Sequence, residues 1–114
     1  MISGKKVLGI ITARGGSKGL PGKNILNFCG KPLIYWTIDT AQKSKYLDKI
    51  ILSTDDKKIA AVASKYGCEV PFIRPSILAT DKSSSIDVVI HALDFLKKEG
   101  SDFDYIALLE PTSP

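Results

Sequence analysis

The apolar run Val7–Ile11 opens directly into a loop that carries Gly15, Gly16, Gly19 and Gly22 together with Arg14, Lys18 and Lys23. An unbroken apolar run, without polar alternation, predicts a strand covered on both faces, the situation in a parallel sheet flanked by helices. Glycines admit backbone conformations closed to other residues and let a ligand approach the main chain. Cations beside exposed N–H groups suit a polyanion. A strand that ends this way reads as a cradle for the phosphates of a nucleotide. The competing reading is a flexible Gly/Lys surface loop, which Pro21 and the density of cations disfavour.

Two familiar phosphate loops do not fit. The pattern G-x-x-x-x-G-K-[ST] fails because position 17 is Ser and position 24 is Asn. The fingerprint G-x-G-x-x-G needs glycines two apart, and those at 15, 16, 19 and 22 do not supply them. An ordinary ATPase and a nicotinamide enzyme are therefore disfavoured.

The rest of the chain alternates. Val7–Thr12 is the first strand. Leu33–Lys43 has helical spacing through Leu33, Trp36, Thr37 and Thr40, widened by Ile34, Ile38 and Ala41. Lys49–Ser53 is a second strand. Thr54-Asp55-Asp56 opens a helix with Ile59, Val62, Ala63 and Tyr66 on one side, ended by Gly67. Glu69–Ile73 reads as a short third strand broken by Pro71. Ser84-x-x-Asp87 resembles a capping box. It opens a third helix with an apolar face of Ile86, Val89, Ile90, Leu93 and Leu96, stopped by Gly100. Tyr105–Leu109 is the fourth strand. The order β-α-β-α-β-α-β predicts an α/β fold with a parallel sheet and helices on both faces. Ligands of such sheets bind beyond the carboxyl ends of the strands. Those ends are followed by the segments Arg14–Asn24, Thr54–Asp56, Arg74–Ser85 and Glu110–Pro114.

Composition narrows the class. With 114 residues, 44% hydrophobic and 25% charged, the chain suits one small globular domain. No apolar run approaches the roughly 20 residues of a membrane span, and the apolar stretch after MISGKK is a strand rather than a signal peptide. The net charge of +4 is spread over lysines such as Lys43, Lys57 and Lys97, without a basic block interleaved with aromatics. Nucleic acid is therefore not an expected partner. Cys29 and Cys68 form no CxxC motif. With no export signal they read as reduced thiols of a cytoplasmic protein.

Other residues carry two readings each. Arg74 could hold a base edge or a phosphate bidentately, or be a surface arginine. Ser83–Ser85 precede a helix N-terminus that offers free N–H groups, although Ser84 also suits simple capping. Asp55 and Asp56 could meet Mg²⁺, but adjacent carboxylates at a helix start are more often a cap and first-turn charge. His91, mid-helix between Asp87 and Asp94, reads as packing or a local pair rather than a catalyst. No Ser or Cys stands beside an evident base, so a covalent nucleophile is not indicated.

Taken together, TARGGSKGLPGKN at 12–24, STD at 53–55, RP at 74–75, LATDKSSSID at 78–87, IHAL at 90–93 and LLEPTSP at 108–114 resemble the acylneuraminate cytidylyltransferase family. That family comprises CMP–sialic acid synthetases and relatives acting on legionaminate, pseudaminate and similar sugar acids. The resemblance implies a Rossmann-like three-layer nucleotidyltransferase fold. It implies a reaction in which CTP and a 2-keto nine-carbon sugar acid give a CMP-sugar and pyrophosphate, with Mg²⁺ as cofactor. It matches Arg14 and Lys23 to catalytic, phosphate-binding cations, and Ala13, Ser17 and Asn24 to residues lining the nucleotide. Arg74, Ser83 and Ser85 match the segment that recognises cytosine and ribose. Glu110, Thr112 and Ser113 match the segment facing the sugar acid. Glu110 stands where many members have glutamine, and a carboxylate there repels an acidic sugar unless paired or protonated.

Family members are longer than this chain. On the resemblance, residues 1–114 are the N-terminal nucleotide-binding part of a cytidylyltransferase domain, truncated after the fourth strand. The metal ligands are then expected beyond Pro114, and the full-length protein is expected to be a homodimer. A stand-alone nucleotide-binding module without turnover, and a nucleotidyltransferase for another sugar acid or NTP, are the alternatives.

Overall fold

In the computed structural model, residues 2–13, 27–73 and 85–110 are described. Strand β1 (Val7–Ala13) lies at the centre of a three-stranded sheet. Its neighbours are β4 (Lys49–Thr54) on one side and β5 (Tyr105–Leu109) on the other, both parallel to it. Between β1 and β4 come a short hairpin, β2 (Asn27–Phe28) and β3 (Lys31–Pro32), and helix α1 (Leu33–Gln42). Helix α2 (Lys57–Lys65) follows β4, and α3 (Ser85–Lys98) precedes β5.

The two faces of β1 explain its unbroken apolar run. Ile11 and Ala13 pack with Leu52 against Ile34 and Ile38 of α1 and Ile59 and Ala63 of α2. Leu8 and Ile10 point the other way and pack with Ile51 against Ala92 and Leu96 of α3. Alternate residues of one strand thus feed two separate cores, the three-layer arrangement expected of α/β folds. Gly9 belongs to this packing. A Cβ there would stand 3.0 Å from the tip of Leu47.

Local chemistry sets the ends of the helices. Asp56 caps α2, its carboxylate accepting from the N–H groups of Lys58 at 2.7 Å and Ile59 at 3.4 Å. Gly67 ends that helix in the left-handed region at φ 83°, where a glycine carries no Cβ penalty. Gly100 does the same after α3 at φ 86°.

Three features differ from the sequence expectation. The strand expected over Glu69–Ile73 is reduced to a single parallel bridge, Ile51 to Glu69, with the Leu52 N–H donating to the Glu69 carbonyl at 2.9 Å. Pro71 has no N–H to extend that ladder. The β2–β3 hairpin is an addition to the expected elements. Cys29 and Gly30 turn it with φ values of 52° and 88°, the positive pair that a two-residue turn between twisted strands requires. The Asn27 side chain accepts from the Gly30 N–H at 3.1 Å. Finally, α3 buries Val88, Ala92 and Leu96, whereas Ile86 and Ile90 of the expected face are exposed.

Candidate functional site

Parallel pairing brings the ends of three strands to one edge. Ala13 is the register partner of Thr54, and Ile11 that of Leu109. The chain therefore leaves β1, β4 and β5 on the same side of the sheet, towards Arg14, Asp55 and Glu110 respectively. All three helices have their N-termini at this edge, because each is joined to a parallel strand by a crossover. Their positive dipole ends therefore face the same region, which suits an anion, although the Asp56 carboxylate already accepts from the first N–H groups of α2.

Of the residues assigned to the nucleotide, Ala13 is buried as the last residue of β1. Ser85 is the first residue of α3. Arg14, Ser17, Lys23, Asn24, Arg74 and Ser83 lie outside the described residues, as do Thr112 and Ser113. Glu110 directly follows β5 and is exposed. The alternation of side chains puts Thr12 and Ser53 on the α3 face, side by side in register. Ser53 is buried and Thr12 half-buried. Sequence reasoning assigned these hydroxyls no role, although both lie in the motifs at 12–24 and 53–55. The signal for them was the polar end of two otherwise apolar strands.

Asp56 is committed to its cap, and its own N–H donates to the Thr54 hydroxyl at 3.2 Å. Among the described residues no group of three or more His, Cys, Asp or Glu side chains gathers into a metal site. The described residues do not by themselves fit a bound metal ion. His91 packs its ring edge-on against Phe72, centroids 4.7 Å apart, in keeping with the packing role. Both cysteines are free. Burial pushes the Cys68 thiol up to about 11, so it stays protonated and is no nucleophile at neutral pH.

A parallel sheet with helices on both faces defines the class of open α/β folds that bind ligands beyond the carboxyl ends of their strands. The family model for cytidylyltransferases matches residues 8–99. The chain belongs to the cytidylyltransferase family. It is 45% identical over 109 residues to a pseudaminic acid cytidylyltransferase of Campylobacter jejuni, covering 96% of this chain and 47% of that protein. It is 48% identical over 109 residues to a CMP-N,N'-diacetyllegionaminic acid synthase of Legionella pneumophila, with the same coverages. An N-acylneuraminate cytidylyltransferase of Escherichia coli is 44% identical, with 96% of this chain and 25% of that protein covered. The chain thus spans about half the length, or less, of these curated relatives. Among solved structures, a CMP:2-keto-3-deoxy-manno-octonic acid synthetase complexed with CTP superposes with a TM-score of 0.79 at 24% identity, covering 96% of this chain and 42% of that one. A cytidylyltransferase from Leptospira borgpetersenii superposes with a TM-score of 0.68 at 27% identity, covering 94% and 42%.

Proposed function

We propose that this chain supplies the nucleotide-binding part of an enzyme that transfers CMP from CTP to a 2-keto nine-carbon sugar acid of the sialic acid kind. The observation that carries the proposal is the shared edge. Parallel register ends β1, β4 and β5 on one side of the sheet, and the segments that follow them in sequence carry the family's motifs. Relatives named for pseudaminic, legionaminic and N-acylneuraminic acid support the substrate class.

In this reading Arg14 and Lys23 hold the triphosphate, with Ala13, Ser17 and Asn24 beside the nucleotide. Arg74, Ser83 and Ser85 face cytosine and ribose, while Glu110, Thr112 and Ser113 face the sugar acid. The anomeric hydroxyl of the sugar attacks the α-phosphorus of CTP. A new P–O bond forms as the bond to pyrophosphate breaks, and the hydroxyl proton is released. Such transfer needs positioning and charge neutralisation more than covalent help. Arg14 and Lys23 meet that need by balancing charge on the phosphates. Magnesium belongs to the same proposal, with its ligands outside the described residues, and would supply further charge neutralisation when bound. Cytoplasmic location and a homodimeric full-length protein complete it. No helix among the described residues is long and apolar enough to cross a membrane.

Arg14→Ala and Lys23→Ala should each weaken CTP binding. One charge-assisted phosphate contact is worth about 1.5–3 kcal/mol, or roughly a tenfold to hundredfold loss of affinity. Wild-type affinity in both variants would remove the glycine loop from the site. Substrate class is tested by a panel of NTPs and sugar acids with pyrophosphate release as the readout. Release with CTP and a nine-carbon acid supports the proposal, and release only with another pair overturns it. Nucleotide binding without release under any pairing would favour a binding module.

A further inference from the structure

The β2–β3 hairpin lies in sequence between the segment Arg14–Asn24 and helix α1. Asn24 stands shortly before Asn27, where β2 begins, and Leu33, the first residue of α1, directly follows Pro32. Among the described residues the two strands of the hairpin pair only with each other. A two-stranded hairpin is marginal on its own in water. Its position on the body of the fold therefore depends on side-chain contacts. Lys31 makes one. Its ammonium Nζ stands 5.5 Å from the ring centroid of Tyr35, on α1, and 5.8 Å from that of Tyr66, at the end of α2. The two rings meet edge to face, with centroids 4.9 Å apart and planes at 65°. Tyr66 packs against the core between the sheet and helices α1 and α2, and its carbonyl accepts from the Gln42 side chain at 3.1 Å. The rings that receive the ammonium are thus fixed to both helices.

The segment Arg14–Asn24 leaves from Ala13, buried at the end of β1, and returns through the hairpin. Loosening one of these two ends adds conformations that a bound ligand must remove, which weakens binding. The weakening is bounded by the free energy of the contact that held that end. We propose that Lys31, seated over Tyr35 and Tyr66, is a positioning residue for the nucleotide: it fixes the hairpin, and with it the end of the segment that carries Lys23 and Asn24. The inference rests on the proposed role of that segment in holding the triphosphate. It assigns Lys31 no contact with the nucleotide itself.

Calorimetric titration of the full 114-residue chain and its variants with CTP and CMP tests this, beside proton NMR of the lysine ε-methylenes. In the wild type the Lys31 ε-protons, lying over two rings, should resonate upfield of those of Lys57 and Lys58. Lys31→Met keeps the length of the side chain and removes its charge. It should weaken CTP binding about fivefold, the scale of one to two exposed cation–π contacts, and CMP binding by less. Lys31→Arg, whose guanidinium also stacks on aromatic faces, should restore most of the loss. Tyr35→Leu removes a ring and no charge, and should also weaken CTP binding. Lys65 Nζ stands 5.9 Å from the same Tyr66 ring but lies off the hairpin. Lys65→Met should therefore leave CTP affinity unchanged. Wild-type CTP affinity in Lys31→Met, or a Lys31 resonance without the upfield shift, would overturn the proposal. Equal losses in Lys31→Met and Lys65→Met, with Tyr35→Leu binding as wild type does, would reduce Lys31 to a distant charge and overturn it too. A wild-type chain that shows the upfield shift but binds no CTP would overturn the proposed function, and the positioning role with it, while the contact itself stands.

Discussion

Two aspartates fix the start of the central strand. The Asp48 carboxylate accepts from the Val7 N–H at 2.6 Å, and the Asp48 N–H donates back to the Val7 carbonyl at 2.9 Å. On the other side the Asp104 carboxylate accepts from the Lys6 N–H, and the Asp104 N–H donates to the Lys6 carbonyl, both at 2.9 Å. Each neighbouring strand is thereby pinned to β1 just before its ladder begins. The hydrogen bond from Val7 holds the Asp48 carboxyl below its ordinary value of 3.8. Its contribution to stability is therefore complete above pH 3.8 and is lost as pH falls through the lower folded value. Asp48→Asn should flatten the acid limb of a plot of urea midpoint against pH. An unchanged limb would mean that other carboxylates set it. Asp56 gives a second prediction. Asp56→Ala should cost about 1 kcal/mol of stability by removing the cap, measured by urea unfolding, and Asp56→Asn should restore most of it. The Asp56 cap was legible in sequence because it immediately precedes the helix it serves. The clamps were not, because their partners lie 41 and 98 residues away.

Among the elements, strands β1, β4 and β5 were readable almost to the residue, since unbroken apolar runs of that length have few other uses. Helix α3 was readable as a helix but not as a face. Apolar residues occur on more than half of its circumference, so periodicity alone does not decide between Ile86–Ile90 and Val88–Ala92. The sheet decides it, because Ala92 lets the helix approach Leu8, Ile10 and Ile51 closely. Ala92→Leu should therefore destabilise by about 1–3 kcal/mol through overpacking, while Ile90→Ser should stay within about 0.5 kcal/mol. Comparable losses in thermal or urea unfolding would contradict the observed face. The segment at Glu69–Ile73 shows the converse. Its composition suggests a strand, yet Pro71 and the single bridge to Ile51 leave it as a fringe beside β4. The hairpin at Asn27–Pro32 is signalled by Asn27 and Gly30, but Cys29 in the left-handed region is unusual enough to hide it.

At the scale of the molecule, β4, β1 and β5 matter most, because their parallel order ends three strands at one carboxyl edge, where distant motifs follow in sequence. That much followed from the alternation of elements, and the family's model matches residues 8–99, from β1 to the end of α3. The site residues were legible by motif rather than by geometry. Strands take their shape from burial, which an apolar run announces, whereas most of the motif residues, Arg14–Asn24 among them, lie outside the described residues. Ala13, Ser85 and Glu110 nevertheless stand at element ends on the expected edge. The central claim is that this edge is built for CTP. Isothermal titration calorimetry of the chain with CTP, and separately with ATP, tests it most directly. The account predicts saturable binding of CTP with a clear preference over ATP. Equal affinity for the two nucleotides, or no binding of CTP, would contradict it.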